Sequence, residues 1–165
     1  MILEEGNIRI NFQNALDGFK FDDSDRTSTK FHGLSHCMKA VDFVVELNDS
    51  YLFVEIKDFH NSDQYTDSAK LSNLVKVLVT KFRDSFIYRW AENKNDKPIK
   101  YLCLMELENA SISRLMKELK RQLPEKGPKN RWQQPIAATC VVANIDRWNA
   151  SFPDWPVSRL KAGGA

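Results

Sequence analysis

The fold of this chain is decided by one stretch, residues 40–57, which reads AVDFVVELNDSYLFVEIK. Two runs rich in apolar residues flank Asn48 and Asp49. Asn and Asp tolerate the backbone angles that a two-residue hairpin turn requires. The stretch therefore predicts two antiparallel β-strands joined by a tight turn.

The register of this hairpin determines where its charged residues lie. If Leu47 pairs with Ser50 across the turn, Asp42 lies opposite Glu55. Side chains alternate between the two faces of a strand, so Asp42, Glu55 and Lys57 then share one face. The other face is wholly apolar and carries Val41, Phe43, Val45, Leu47, Leu52, Val54 and Ile56. A register shifted by one residue would place Asp42 among the core residues of its partner strand.

Charged side chains within apolar strands are costly to bury unless they hold a metal ion or each other. Asp42, Glu55 and Lys57 are therefore candidates for chemistry. The alternative interpretation is a half-exposed hairpin on which Glu55 and Lys57 form an ordinary surface ion pair.

Length and composition indicate a single globular domain. The chain has 165 residues, of which 42% are apolar and 28% are charged. These values are typical of a soluble domain that buries most of its apolar surface. We predict one domain over residues 1–160 and a disordered tail over residues 161–165.

The location that the sequence predicts is the cytoplasm. No apolar stretch is long enough to span a membrane, and no signal peptide is recognisable at the N-terminus. Cys37, Cys103 and Cys140 are widely spaced and include no CxxC pair. That pattern favours a reducing compartment and argues against disulfides or a zinc knuckle.

The remaining pattern predicts helices that cover a small sheet. A long helix is expected from about residue 68 to 91, with Asp67 or Ser68 as its N-cap. Its apolar stripe leaves Lys81 largely off the buried side. The other predicted elements are a strand at 8–12 paired with a strand at 19–21, a polar connection at 60–67, a strand at 99–105, a helix at 111–122 and a strand at 136–142. This order indicates an α/β (α+β) fold.

A strand with Asp, a tight turn, a strand with Glu-x-Lys and a following helix together resemble the PD-(D/E)XK nuclease superfamily. The matching residues are Asp42, Glu55 and Lys57. The resemblance implies a restriction-endonuclease-like fold, in which helices flank a mixed central sheet. It also implies metal-dependent hydrolysis of phosphodiester bonds in DNA.

The resemblance assigns a role to each matching residue. Asp42 and Glu55, with the backbone carbonyl of Ile56, would hold Mg²⁺ or Mn²⁺. Lys57 would position or deprotonate the attacking water. Carboxylate oxygens suit these hard cations, and a bound ion acidifies water and stabilises charge on phosphate. A lysine beside carboxylates can act as a base or stay charged and bind phosphate, and both roles remain open.

The chain departs from the family pattern in two places. Val41 stands where many members have proline. No helix near the N-terminus supplies an auxiliary acid, and Glu4 and Glu5 are the nearest candidates. The alternative function is therefore a catalytically inactive nuclease-like subunit that binds nucleic acid or a protein partner.

Charge is distributed unevenly along the chain. Residues 1–67 hold 13 acids and 6 bases, whereas residues 68–165 hold 9 acids and 18 bases. A dense basic segment before Trp132 suits phosphate contacts and base stacking, although a solvated helix face would look the same. The candidate nucleic-acid-binding residues there are Lys117, Lys120, Arg121, Lys126, Lys129 and Arg131.

Other motifs carry less information. His32 and His36 are four residues apart, but Gly33 lies between them and no third zinc ligand is near. No glycine-rich nucleotide-binding motif occurs, so no nucleotide cofactor is expected. We expect DNA as the partner, no membrane association, and either a protein partner or a homodimer.

Overall fold

A computed structural model describes residues 1–58 and 67–160. Within them the chain forms a mixed α/β fold with two β-sheets and three helices. The strands are β1 (Ile2–Glu5), β2 (Ile8–Asn11), β3 (Asp17–Lys20), β4 (Phe43–Glu46), β5 (Tyr51–Lys57), β6 (Ile99–Met105), β7 (Thr139–Ala143) and β8 (Val157–Arg159). The helices are α1 (Ser68–Ala91), α2 (Asn109–Gln122) and α3 (Ile145–Ser151).

The larger sheet has the strand order β3-β4-β5-β6-β7. Strand β4 runs antiparallel to both β3 and β5, whereas β5, β6 and β7 are parallel to one another. The smaller sheet has the order β1-β2-β8 and is antiparallel throughout. The central strand β5 therefore joins an antiparallel half of the large sheet to a parallel half.

The predicted hairpin register is confirmed. Val45 pairs with Leu52 and Glu46 with Tyr51, and the N–H of Leu47 donates to the carbonyl of Ser50 at 2.8 Å. Asp42 directly precedes this paired segment and Glu55 directly follows it. The sequence therefore predicted correctly which residues of the two strands face one another.

Both faces of this hairpin are buried. Helices α1 and α2 cover one face, where Val44 and Phe53 join their apolar side chains. The small sheet and α3 cover the other, where Phe43 and Leu52 pack. Val41 was expected on the face that the small sheet covers, but it packs on the face that α1 and α2 cover. The regular alternation of side chains in β4 begins only at Phe43. The alternative interpretation of a half-exposed hairpin is thus wrong.

The long helix agrees with its prediction. Helix α1 spans Ser68–Ala91, and the side chain of its N-cap, Asp67, accepts a hydrogen bond from the N–H of Ala69 at 2.8 Å. Such a cap satisfies one of the amides that a helix leaves unpaired at its start. Strand β6 also has its predicted bounds, and α2 begins two residues earlier than expected.

Other sequence predictions are wrong. Strand β3 pairs with β4 and not with β2. The reason is that Phe19 and Phe21 pack on the face of the large sheet that α1 covers, whereas Ile8 and Ile10 pack on the opposite face. Strand β7 begins at Thr139 and not at residue 136. The elements β1, α3 and β8 were not anticipated.

Two predictions lie outside the described residues: most of the polar connection at 60–67, and the tail at 161–165. In the part of the chain that the structure describes, no helix is both long and apolar enough to cross a membrane.

Candidate functional site

Two buried carboxylates meet where β4 begins and β5 ends. Asp42 directly precedes β4 and is 4% exposed, and Glu55 lies within β5 and is fully buried. The Oδ2 atom of Asp42 accepts a hydrogen bond from the N–H of Ile56 at 2.7 Å. This bond fixes Asp42 against β5, so the hairpin itself positions one carboxylate beside the other.

A lysine that was not predicted to take part lies between these carboxylates. The Nζ atom of Lys81, from the middle of α1, donates to Oδ1 of Asp42 at 3.1 Å. The same ammonium lies 2.8 Å from Oε1 and 2.9 Å from Oε2 of Glu55. One cation thus contacts three carboxylate oxygens in the protein interior.

Two further charged side chains lie on the solvent side of this cluster. The Nζ atom of Lys57 is 3.0 Å from Oε1 of Glu55, and the Lys57 side chain is one-third exposed. Asp22, just after β3, places Oδ2 at 3.6 Å from Nζ of Lys81, and its side chain is half exposed. We call Asp22, Asp42, Glu55, Lys57 and Lys81 the charged cluster.

Burial dominates the electrostatics of the charged cluster. Burial and the nearby charge of Asp42 together raise the pKa of Glu55 to about 7, against the opposing charges of Lys81 and Lys57. For Lys81, burial alone would lower the pKa, but the charges of Glu55 and Asp42 outweigh it and raise the pKa above its ordinary value. Lys81 is therefore a cation at neutral pH.

The arrangement forms a site for a cation among hard oxygen donors. Asp42 and Glu55 direct three carboxylate oxygens at one point, which is the ligand chemistry that Mg²⁺ and Mn²⁺ prefer. Residues 1–58 and 67–160 contain no group of three or more His, Cys, Asp or Glu placed to hold a metal ion. A metal here would depend on the two carboxylates and on withdrawal of the Lys81 ammonium.

The structure brings the predicted catalytic residues together but adds to them. Glu55 contacts Lys57 and shares the Lys81 ammonium with Asp42, and Ile56 contacts Asp42 through its N–H, whereas its carbonyl was the group expected to take part. The residue that sequence reasoning misplaced is Lys81, which is 9% exposed. Its spacing within the buried stripe, between Leu78 and Ser85, was the available signal.

The candidates for an auxiliary acid do not reach the charged cluster. Glu4 pairs with Arg9 at 2.7 Å, and Glu5 pairs with Lys20 at 2.6 Å. His32 makes a local contact instead, because its Nδ1 accepts the N–H of Leu34 at 3.0 Å. The additional carboxylate that does approach Lys81 is that of Asp22.

Five of the six predicted basic residues fall into two groups, and Lys120 belongs to neither. Lys117 and Arg121 of α2, with Arg114, line a groove of about 360 Å³ against the N-terminal half of α1. Lys120 is exposed and forms an ion pair with Glu125 at 3.6 Å. Lys126, Lys129 and Arg131 are exposed on the loop that follows α2. The structure therefore forms one basic groove and one basic loop.

Comparisons of this chain with protein-family models, with curated proteins and with solved structures found no match. The function has to be argued from the charged cluster and the surfaces around it.

Proposed function

We propose that this protein is a metal-dependent nuclease of the PD-(D/E)XK type, built on a restriction-endonuclease-like sheet and acting on DNA. One observation carries the proposal: Asp42, Glu55 and Lys57 meet at the end of a hairpin whose second strand begins the parallel half of the sheet. The carboxylates are buried and the lysine is partly exposed, which suits a site that holds a cation inside and receives phosphate from outside.

In this proposal Asp42 and Glu55 hold Mg²⁺ or Mn²⁺, and the Ile56 carbonyl is available as a further oxygen ligand. The bound ion supplies stabilisation of charge on the phosphate and acidifies a water. Lys57 reaches the substrate side, because its side chain is one-third exposed while its ammonium touches Glu55. There it orients the attacking water or neutralises a phosphate oxygen.

The basic groove between α1 and α2 supports nucleic acid as the substrate. Among the described residues that line it, Arg114, Lys117 and Arg121 accompany one acid, Glu118, and Arg121 pairs with that acid at 2.9 Å. A groove with excess positive charge attracts a phosphate backbone without reading its sequence. We expect binding there to weaken steeply with salt.

The test is cleavage of supercoiled plasmid, single-stranded and branched DNA with Mg²⁺ or Mn²⁺, against an EDTA control. Cleavage by the wild type is expected to be lost in Asp42→Asn and Lys57→Ala. The exposed α1 residue Lys76 provides the matched control, because Lys76→Ala leaves the charged cluster intact. Absence of cleavage on all three substrates, or unchanged cleavage in Asp42→Asn, refutes the proposal.

A second candidate is a nuclease-like subunit that binds DNA or a protein partner without cleaving. The observation that favours it is the Lys81 ammonium, which already occupies the position between the two carboxylates. This candidate predicts salt-sensitive retention of DNA in a gel-shift assay, weakened by Lys117→Ala with Arg121→Ala, and no cleavage with any divalent cation.

A further inference from the structure

We propose that Lys81 is an internal counter-ion that holds the metal-free site together and must withdraw when a divalent cation binds Asp42 and Glu55. The inference rests on the proposed function for the existence of a metal site, but it assigns a separate role to a residue of α1. Lys81 is then a positioning residue, because it acts through the two carboxylates.

The first support is the position of the ammonium. It lies within 3.1 Å of Oδ1 of Asp42 and of both carboxylate oxygens of Glu55. A cation that is shared by both carboxylates would occupy the same space. Lys81 and a bound metal ion therefore compete for one set of oxygens.

The second support is the burial of the carboxylates. Glu55 is fully buried and Asp42 is 4% exposed, so water does not solvate their charges. Two carboxylates that are buried side by side can both be ionised only if an opposite charge lies at close range. In the metal-free protein Lys81 supplies that charge from within the fold, with Lys57 as a weaker and more exposed partner.

The third support is that Lys81 has another carboxylate to move toward. Oδ2 of Asp22 lies 3.6 Å from its Nζ atom, and the Asp22 side chain is half exposed. Lysine carries its charge on a flexible four-carbon stem, so the ammonium can move while α1 stays in place. Asp22 provides a partner for the displaced ammonium on the solvent side of the charged cluster.

The first experiment measures Mn²⁺ affinity by isothermal titration calorimetry for the wild type, Lys81→Met and the control Lys76→Met. Removing the competing cation is expected to tighten Mn²⁺ binding by at least about tenfold, because two like charges at this range repel by several kcal/mol in a protein interior. Lys76→Met should bind like the wild type. Equal or weaker binding by Lys81→Met, or no binding by either protein, overturns the proposal.

The second experiment uses the wild type alone, so it does not depend on whether Lys81→Met folds. Lysines are acylated with a limiting amine-reactive reagent and quantified by mass spectrometry, with and without Mn²⁺. Lys81 labelling is expected to be slow without metal and to rise at least about fivefold with Mn²⁺, because its ammonium leaves its buried partners. Lys76 should label equally in both. Unchanged Lys81 labelling at an Mn²⁺ concentration that saturates the calorimetric titration overturns the proposal.

The two proposals can fail separately. Displacement of Lys81 by Mn²⁺ without DNA cleavage retains the counter-ion role and rejects the nuclease. Metal-dependent cleavage with Lys81 still protected rejects the counter-ion role and retains the nuclease.

Discussion

The ammonium of Lys81 lies 2.8 Å and 2.9 Å from the two carboxylate oxygens of Glu55, across the interface between α1 and β5. Both side chains are almost completely inaccessible to solvent. This ion pair therefore belongs to the interior of the protein, where the loss of Lys81 would leave Glu55 with the more exposed Lys57 as its cationic partner.

Lys81→Met is expected to lower the free energy of unfolding of the metal-free protein by about 3–5 kcal/mol, as for other buried ion pairs that lose one partner. Urea denaturation at neutral pH in EDTA measures this change. Lys76→Met, on the exposed side of the same helix, should alter stability by no more than about 0.5 kcal/mol. A loss below about 1 kcal/mol for Lys81→Met would mean that Glu55 becomes neutral by taking up a proton or is balanced by Lys57.

Asp42→Ala is expected to be more destabilising than Asp42→Asn, by about 1–3 kcal/mol, because alanine leaves the buried N–H of Ile56 without an acceptor. Asparagine retains an oxygen for that bond while removing the charge. The midpoints of urea unfolding compare the two variants. Equal midpoints would show that the Ile56 bond adds nothing to stability.

The pair Glu46 and Lys97 should make stability depend on pH. The Lys97 ammonium, 2.6 Å from Oε1 of Glu46, lowers the pKa of that carboxyl. Because the folded pKa is lowered, the stabilisation is present above about pH 4.5 and is lost as the pH falls through the lowered value. Lys97→Met should therefore cost about 1 kcal/mol at pH 7 and less at pH 3. An equal cost at both pH values would contradict this assignment.

Arg159 ties the last described strand to the large sheet. Its guanidinium contacts both carboxylate oxygens of Asp58 at 2.8 and 2.9 Å, and Glu106 at 3.0 Å. Arg159→Gln should lower stability by about 1 kcal/mol and speed amide exchange in β8. Arg147→Gln, on exposed α3 surface, is the control. Unchanged exchange at Leu160, whose N–H donates to the carbonyl of Asn7 at 2.8 Å, would show that β8 is held by its strand pairing alone.

The hairpin and the long helix could be predicted because their signals are local. Alternating apolar residues around Asn48 and Asp49 fix a register, and Asp67 followed by a periodic apolar stripe fixes a helix start. The same local rules predicted that Asp42, Glu55 and Lys57 lie on one face of the hairpin. These predictions needed only residues close together in the chain.

The role of Lys81 could not be predicted in this way. The spacing of Lys81 after Leu78 could have placed it on the buried side of α1, but no local pattern shows which groups its ammonium contacts. The partners of that ammonium, Asp42 and Glu55, lie 39 and 26 residues earlier in the sequence. Strand β8 was missed for a related reason: its three residues become a strand only by pairing with β2.

The small sheet has a consequence for how the chain folds. Ile8 of β2 pairs with Arg159 of β8, so this sheet joins segments that are separated by almost the whole described chain. Such distant pairings form slowly, because a very long loop must close before they gain any contact energy. Strands β4, β5 and β6 can assemble with α1 before that closure. The apolar face of the hairpin that the small sheet covers would then stay exposed until late in folding. A chaperone or another unfolded chain would bind to this face before the small sheet covers it.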